Sequence, residues 1–166
     1  MVSIQNLEFE LQDLLKNKKY SEIIFEIISK TKEEERNAGL FVLLGISRMS
    51  LNKKDKDQIE LAVSDFKKGY FKEKTSENSL NALVNFVLAS AILSDFENTN
   101  VDFDEIKKIY NESPKSFQDK RPINIAMSKI YSRLNGHKDM LFHLEKIIKA
   151  GNFMPNNLCN YGYWRC

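Results

Sequence analysis

Apolar residues recur at steps of three and four along nearly the whole of this chain, a spacing that confines it to helices. Ile4, Leu7, Leu11 and Leu14 form the first stripe, broken by Asn17-Lys18-Lys19. Tyr20, Ile23, Ile24, Ile27 and Ile28 form the second. The charged stretch from Thr31 to Arg36 precedes a segment, Ala38 to Met49, that is apolar on nearly all sides and is therefore expected at the centre. A fourth stripe carries Leu61, Ala62, Phe66 and Tyr70, and Asp57 with Glu60 is read as the capping box that opens it. Leu80 to Ile92 is again strongly apolar. Asp102 with Glu105 reads as a second capping box, ahead of Ile106, Ile109 and Tyr110, and Pro114 sets the end of that helix. Pro122 suits the first turn of the next, which carries Ala126, Met127, Ile130, Tyr131 and Leu134 and stops at Asn135-Gly136. Leu141, Leu144, Ile147 and Ile148 make the eighth stripe, ended by Gly151, and Pro155 starts a ninth with Leu158 and Tyr161. No stretch alternates as a strand would. Eight short helices and a truncated ninth are expected.

These helices pair, an apolar first member with a more amphipathic second, and the pairs keep a period. Leu7 and Leu11 correspond to Phe41 and Gly45 at 34 residues, as Asn124 and Ser128 do to Leu158 and Gly162. A fixed period of this length marks stacked helical hairpins, each unable to bury its own face without a neighbour. With 166 residues the chain suits one domain, read here as a helical-repeat unit over residues 1–166 and as part of a longer protein.

Phe41, Leu44 and Gly45, followed by Ala62, Phe66 and Gly69 after an insertion around Lys53 to Asp57, resemble the tetratricopeptide repeat family. Asn17 to Tyr20 with Ile23 and Ile27 resembles the turn and second helix of a first repeat. Tyr131, Gly136, Met140, Leu144 and Ile147 resemble a fourth, and Leu158, Tyr161 and Gly162 the opening of a fifth. The third departs, with no Leu-Gly between Leu80 and Ile92 and a long loop from Asp95 to Val101. The resemblance implies an all-α, right-handed α-α superhelix of about four hairpins, and a scaffold that binds a peptide or protein segment in its concave groove. By the family's inward positions the groove residues would be Gln5, Glu8, Gln12, Asn81, Asn85, Lys129, Arg133, Asn156 and Asn160. The chain is also similar to repeats that precede bacterial glycosyltransferase domains of the O-GlcNAc-transferase kind, or sulfotransferase-like domains. That implies an alternative role as the substrate-recruiting part of such an enzyme.

Composition narrows the partners. Lys and Arg number 25 against 23 Asp and Glu, so there is no electrostatic case for nucleic acid or a membrane surface. The longest apolar run, Leu40 to Ile46, is too short to span a bilayer, and the N-terminus lacks the basic head and apolar core of a secretion signal. A cytoplasmic protein is expected. Four motifs invite chemistry, and each has a structural reading that is favoured. Asp102-Phe103-Asp104 has the form of a metal-binding Asp-x-Asp but stands where a helix needs a cap. His137 and His143 are six apart, not the three or four that zinc on a helix wants, and are expected at the surface or partly packed. Cys159 and Cys166 form no disulfide framework and read as a buried thiol pair. Lys67 to Lys74 mixes bases with aromatics at a helix C-terminus, where lysines complement the macrodipole. No catalytic set, metal or cofactor site is read. The bulky Leu158, Tyr161, Tyr163 and Trp164 raise a further expectation, self-association through a C-terminal apolar face.

Overall fold

A computed structural model describes residues 4–149, and every regular element in that span is helical. In chain order they are α1 (Ile4–Lys16), α2 (Tyr20–Lys30), a 3-10 turn (Glu33–Glu35), α3 (Ala38–Leu51), α4 (Lys56–Glu73), α5 (Glu77–Leu93), α6 (Phe103–Glu112), α7 (Lys115–Gln118), α8 (Arg121–Arg133) and α9 (His137–Lys149). Eight of the helices coincide with the eight stripes. The four-residue α7, started by Pro114, has no stripe of its own and is an addition. The helix expected from Pro155 lies outside the described residues.

Local chemistry accounts for most of the boundaries. Asn37, Ser76 and Asp102 cap α3, α5 and α6 by accepting from the backbone N–H three residues on, at 3.0, 3.1 and 2.8 Å. At α4 the expected cap moves. Asp55, not Asp57, accepts from the Gln58 N–H at 3.2 Å, and Asp57 and Glu60 lie inside the helix. An equivalent carboxylate two residues earlier gives a longer helix with more of its backbone paired. The stop at Asn135-Gly136 is a Schellman turn. Gly136 N–H reaches Tyr131 O at 2.8 Å while Asn135 takes the left-handed conformation at φ 52°. The same turn ends α1, with Lys19 N–H on Leu14 O at 2.9 Å, but there a lysine, Lys18, holds φ 56°.

Packing follows a simple order. The first helices of the pairs touch in series, α1 with α3, α3 with α5, α5 with α8. Among the second helices, α2 lies on α1 and α3, α4 on α3 and α5, and α9 on α8. Leu7, Leu11, Ile23 and Ile27 of the first pair share a core with Leu40, Phe41, Leu43 and Leu44 of α3. A second core joins α4, α5, α6 and α8 through residues such as Phe66, Leu83, Ile106 and Met127, with Val42, Ile46 and Met49 of α3 against it. Helix α3 is thus central, as its all-round apolarity predicts. Two of its contacts depend on glycine. A β-carbon at Gly45 would come within 2.5 Å of the buried Phe66 ring, and one at Gly69 within 3.0 Å of Phe41 Cβ. Missing side chains here let the Phe66 ring close on α3 and the base of Phe41 close on α4.

Candidate functional site

The series of first helices creates one continuous row of side chains. Gly39 of α3 lies between Glu8 of α1, whose carboxylate crosses its surface, and Asn78 of α5, whose Nδ2 is 3.1 Å from where a β-carbon would stand. Helical geometry then fixes what else shares that side. On α3 it carries the half-buried Val42, Ile46 and Met49. On α5 it carries Asn81, Asn85, Leu88 and Ile92. The row therefore runs from a carboxylate, over an apolar strip, to a run of amides.

Of the expected groove residues, Glu8 is half-buried in this row and Gln12 is exposed one turn further along α1. Gln5 lies within α1. Asn81 is exposed, and Asn85 is half-buried with its Nδ2 donating to Asn81 O at 2.8 Å. Lys129 and Arg133 share a face of α8. Arg133 makes a two-pronged pair with Asp95 just past the end of α5, with Nε to Oδ1 at 3.1 Å and Nη2 to Oδ2 at 2.8 Å. Seven of the nine are thus placed on the α1–α5–α8 series, and Asn85 and Arg133 are already engaged in side-chain hydrogen bonds. Asn156 and Asn160 lie outside the described residues, as do Cys159, Cys166 and the apolar residues expected to form the C-terminal face.

The motifs weighed for chemistry take structural places. Asp102 caps α6, and Asp104 pairs with Lys107 at 2.6 Å. The lysines of α4 point to neighbouring elements. Lys67 pairs with Glu105 of α6 at 2.5 Å, Lys68 with Glu33 at 2.8 Å, and Lys72 donates to Glu34 O at 2.8 Å. Hydrogen bonding by Lys68 holds the Glu33 carboxyl below its ordinary range. No group of three or more His, Cys, Asp or Glu that could hold a metal occurs among the described residues. Nor is any described helix long and apolar enough to cross a membrane.

Two polar features were not legible as such in the sequence. Arg48 of α3 meets Asp65 of α4, Nε to Oδ2 at 2.8 Å, in a largely buried pair. Burial raises the Asp65 pKa against the opposing pull of Arg48. The larger feature is a chain of buried amides under α6 to α9. Gln118 Nε2 donates to Asn111 O at 3.1 Å and Ser113 O at 2.8 Å, the end of α6. Asn124 Nδ2 donates to Gln118 O, the end of α7, at 2.8 Å and to Lys120 O, at the start of α8, at 2.9 Å. The amides thereby serve the carbonyls of Asn111, Ser113 and Gln118 at the ends of α6 and α7, where intrahelical partners run out, and add a second donor to Lys120 O, which already accepts the Asn124 N–H. With both its hydrogens so used, Asn124 presents Oδ1 to His143 Nδ1 at 2.8 Å, so the ring carries its proton on Nδ1.

His143 is the clearest correction to the sequence reading. It is 2% exposed rather than superficial, stacked on Tyr131 and edge-on to Tyr110. Burial, helped by Lys146, lowers its pKa from 6.5 to about 4, so it is neutral at physiological pH. Burial also raises Tyr110 to about 12. A neutral imidazole with one nitrogen committed to an amide, enclosed by rings, is a packing element. Apolar stripes hid it, although an asparagine at position 124, one period before Leu158, was the available signal.

Compared with protein-family models, curated proteins and solved structures, the chain matches none, so its contacts and chemistry must carry the functional reading.

Proposed function

We infer that the chain is a non-catalytic protein–protein interaction scaffold, a tetratricopeptide-like right-handed stack of hairpins that binds an extended or helical segment along its first helices. The observation that carries this is the serial contact of α1, α3, α5 and α8, with Glu8, Gly39 and Asn78 in one row across three of them. Closed bundles bury such a face, whereas stacked hairpins leave it as a binding wall. The interlock of Gly45 with Phe66 and Gly69 with Phe41 supports the repeat reading, because these are the residues on which the resemblance rests. Along the wall, Val42, Ile46 and Met49 would hold apolar side chains. Asn81 and Asn85 would hydrogen-bond a peptide backbone.

The test is selection of binders from a displayed random-peptide library on the folded chain, with the bound site mapped by amide chemical shifts. The expected result is shifts along α3, α5 and α8, and at least a tenfold loss of affinity in Asn81→Ala/Asn85→Ala with thermal stability unchanged. Shifts confined to α4 and α6, or no selected peptide, would contradict the assignment.

A further inference from the structure

Polar groups of three helices meet on one bare patch of backbone, Gly39. It is the second residue of α3, and its missing side chain leaves a small floor. The half-buried Glu8 carboxylate comes to this floor from α1 and the exposed Asn78 amide from α5. The start of α3 favours a negative charge beside it, but α3 does not use Glu8 as its cap. The Leu40 N–H goes to Asn37 Oδ1 at 3.0 Å. Neither Glu8 nor Asn78 has a hydrogen bond or ion pair among the described residues. A carboxylate partly withdrawn from water without a donor is a cost that a bound cation would remove.

The surrounding charges do not supply that cation. On α1, Glu10 is 3.9 Å from Lys30, and Asp13 is paired with Lys16 at 3.2 Å. The single charged residue of α3, Arg48, is held by Asp65 of α4. The single charged residue of α5, Glu77, precedes Asn78 and adds a second carboxylate to this end of the row. At the start of α3 and the end of α4 the bases are turned elsewhere. Arg36 donates to Thr31 at the end of α2, Lys72 donates to Glu34 O, and Lys74 lies over the Phe71 ring. Arg121, Lys129 and Arg133 are on α8, beyond α5. With these neighbours counted, the Gly39 end of the wall is acidic.

Resting on the scaffold reading above, we propose that the bound segment carries a lysine or arginine seated on Gly39, between Glu8 and Asn78. The cation donates to the Glu8 carboxylate and to the Asn78 side-chain oxygen, two acceptors the chain itself leaves without a donor. The glycine is what makes the seat. A β-carbon there would run into the Glu8 carboxylate and stand 3.1 Å from Asn78 Nδ2, so any side chain would push the two groups apart. Val42 follows one turn along α3, so the residue next to the cation is apolar.

Peptides selected from one displayed random library on the wild-type chain and, separately, on Glu8→Gln test this. The wild-type set is expected to share a lysine or arginine beside apolar residues, and the Glu8→Gln set to lack it. In a wild-type peptide, replacing that basic residue by alanine should cost about tenfold in affinity on the wild-type chain and less than about twofold on Glu8→Gln, by fluorescence anisotropy. Gly39→Ala meets only the movable ends of Glu8 and Asn78, so it should keep the circular dichroism of wild type while weakening the same peptide about fivefold. Peptides that bind with shifts along α3 and α5 but share no basic residue overturn the proposal and leave the wall standing. So does a basic residue whose replacement costs the same on both chains. Selection of no peptide at all removes the wall, and this proposal with it.

Discussion

Helices α3 and α4 come together at glycines, with the Phe66 ring against Gly45 and the Phe41 β-carbon against Gly69. The α6–α9 region instead closes over a chain of amides running from Gln118 through Asn124 to His143. The difference follows from where the chain keeps its period and where it departs. The α3–α4 pair has one short turn, so backbone carbonyls at its ends stay near solvent and the interface is free to be apolar. Between α5 and α8 the chain inserts a long loop and α7, which brings helix ends inside. Their carbonyls need donors, and buried side-chain amides supply them. Shape holds the first region together, and hydrogen-bond satisfaction the second.

The sharpest way to break that contrast is in the apolar region. Phe66→Ala should cost about 4 kcal/mol by leaving a ring-sized cavity under α3. Gly45→Ala in the native background should be destabilising because its methyl meets the ring, and in the Phe66→Ala background it should become neutral or favourable. Urea denaturation of the four proteins gives the coupling directly. A purely additive result would mean that the glycine is not there to seat the ring.

In the amide region, Asn124→Leu keeps the volume but removes the short bond to the Gln118 carbonyl and strands the His143 N–H, while Lys120 O keeps its bond from the backbone N–H of residue 124. It should cost about 3 kcal/mol although it makes the core more apolar, since each buried group left without a partner carries a desolvation cost. A leucine that stabilises the protein, as an apolar repeat core at this position would allow, would contradict the account.

The histidine gives the contrast a pH dependence. Its folded pKa, about 4, lies below the ordinary 6.5, so the unfolded chain binds the extra proton first and stability falls as pH drops through that window. From about pH 7.5 to about pH 5 the expected loss from this group is about 2 kcal/mol. Subtracting the profile of His143→Phe from that of wild type, both by denaturant titration, isolates it from the carboxylates. A difference that does not vary with pH would place His143 in water.

The smallest expected effect compares the turns that end α1 and α8. Lys18 holds a left-handed φ of 56° where α8 uses Asn135. Lys18→Gly should therefore raise stability by about 0.5–1 kcal/mol, and Asn135→Gly by less, since asparagine tolerates that conformation better. Equal gains in thermal unfolding would mean that neither turn is strained.

How much of this could be read in advance depended on what kind of signal each feature leaves. Leu7, Ile23 and Phe66 repeat at helical spacing, so the helices and the centrality of α3 were legible. The α6 cap at Asp102 was equally so, because the residue that caps and the amide that receives it are adjacent in sequence. Asp55 in place of Asp57 shows the limit of that reasoning, since two carboxylates compete and helix length decides. Helix α7 and the His143 site were not legible. Both depend on which carbonyls the inserted loop happens to bury, a tertiary fact that leaves only a polar residue in an apolar stripe. For the candidate wall, the family resemblance pointed to Glu8, Asn81, Asn85 and Lys129, and the structure has them on α1, α5 and α8. The resemblance did not show that Arg133 is held by Asp95, or that Val42, Ile46 and Met49 supply the apolar strip between them.

Everything in the functional reading depends on the first helices lying side by side in an open series. Spin labels at the exposed Gln12 and Ser132 positions, in a chain with Cys159 and Cys166 replaced by serine, measure the span from α1 to α8 by electron double resonance. Three lateral steps of 8–10 Å each predict a separation of roughly 25 Å or more. A single narrow distance of about 15 Å or less, one helix spacing with the labels' own reach, would mean that α8 has folded back beside α1 and that there is no open wall.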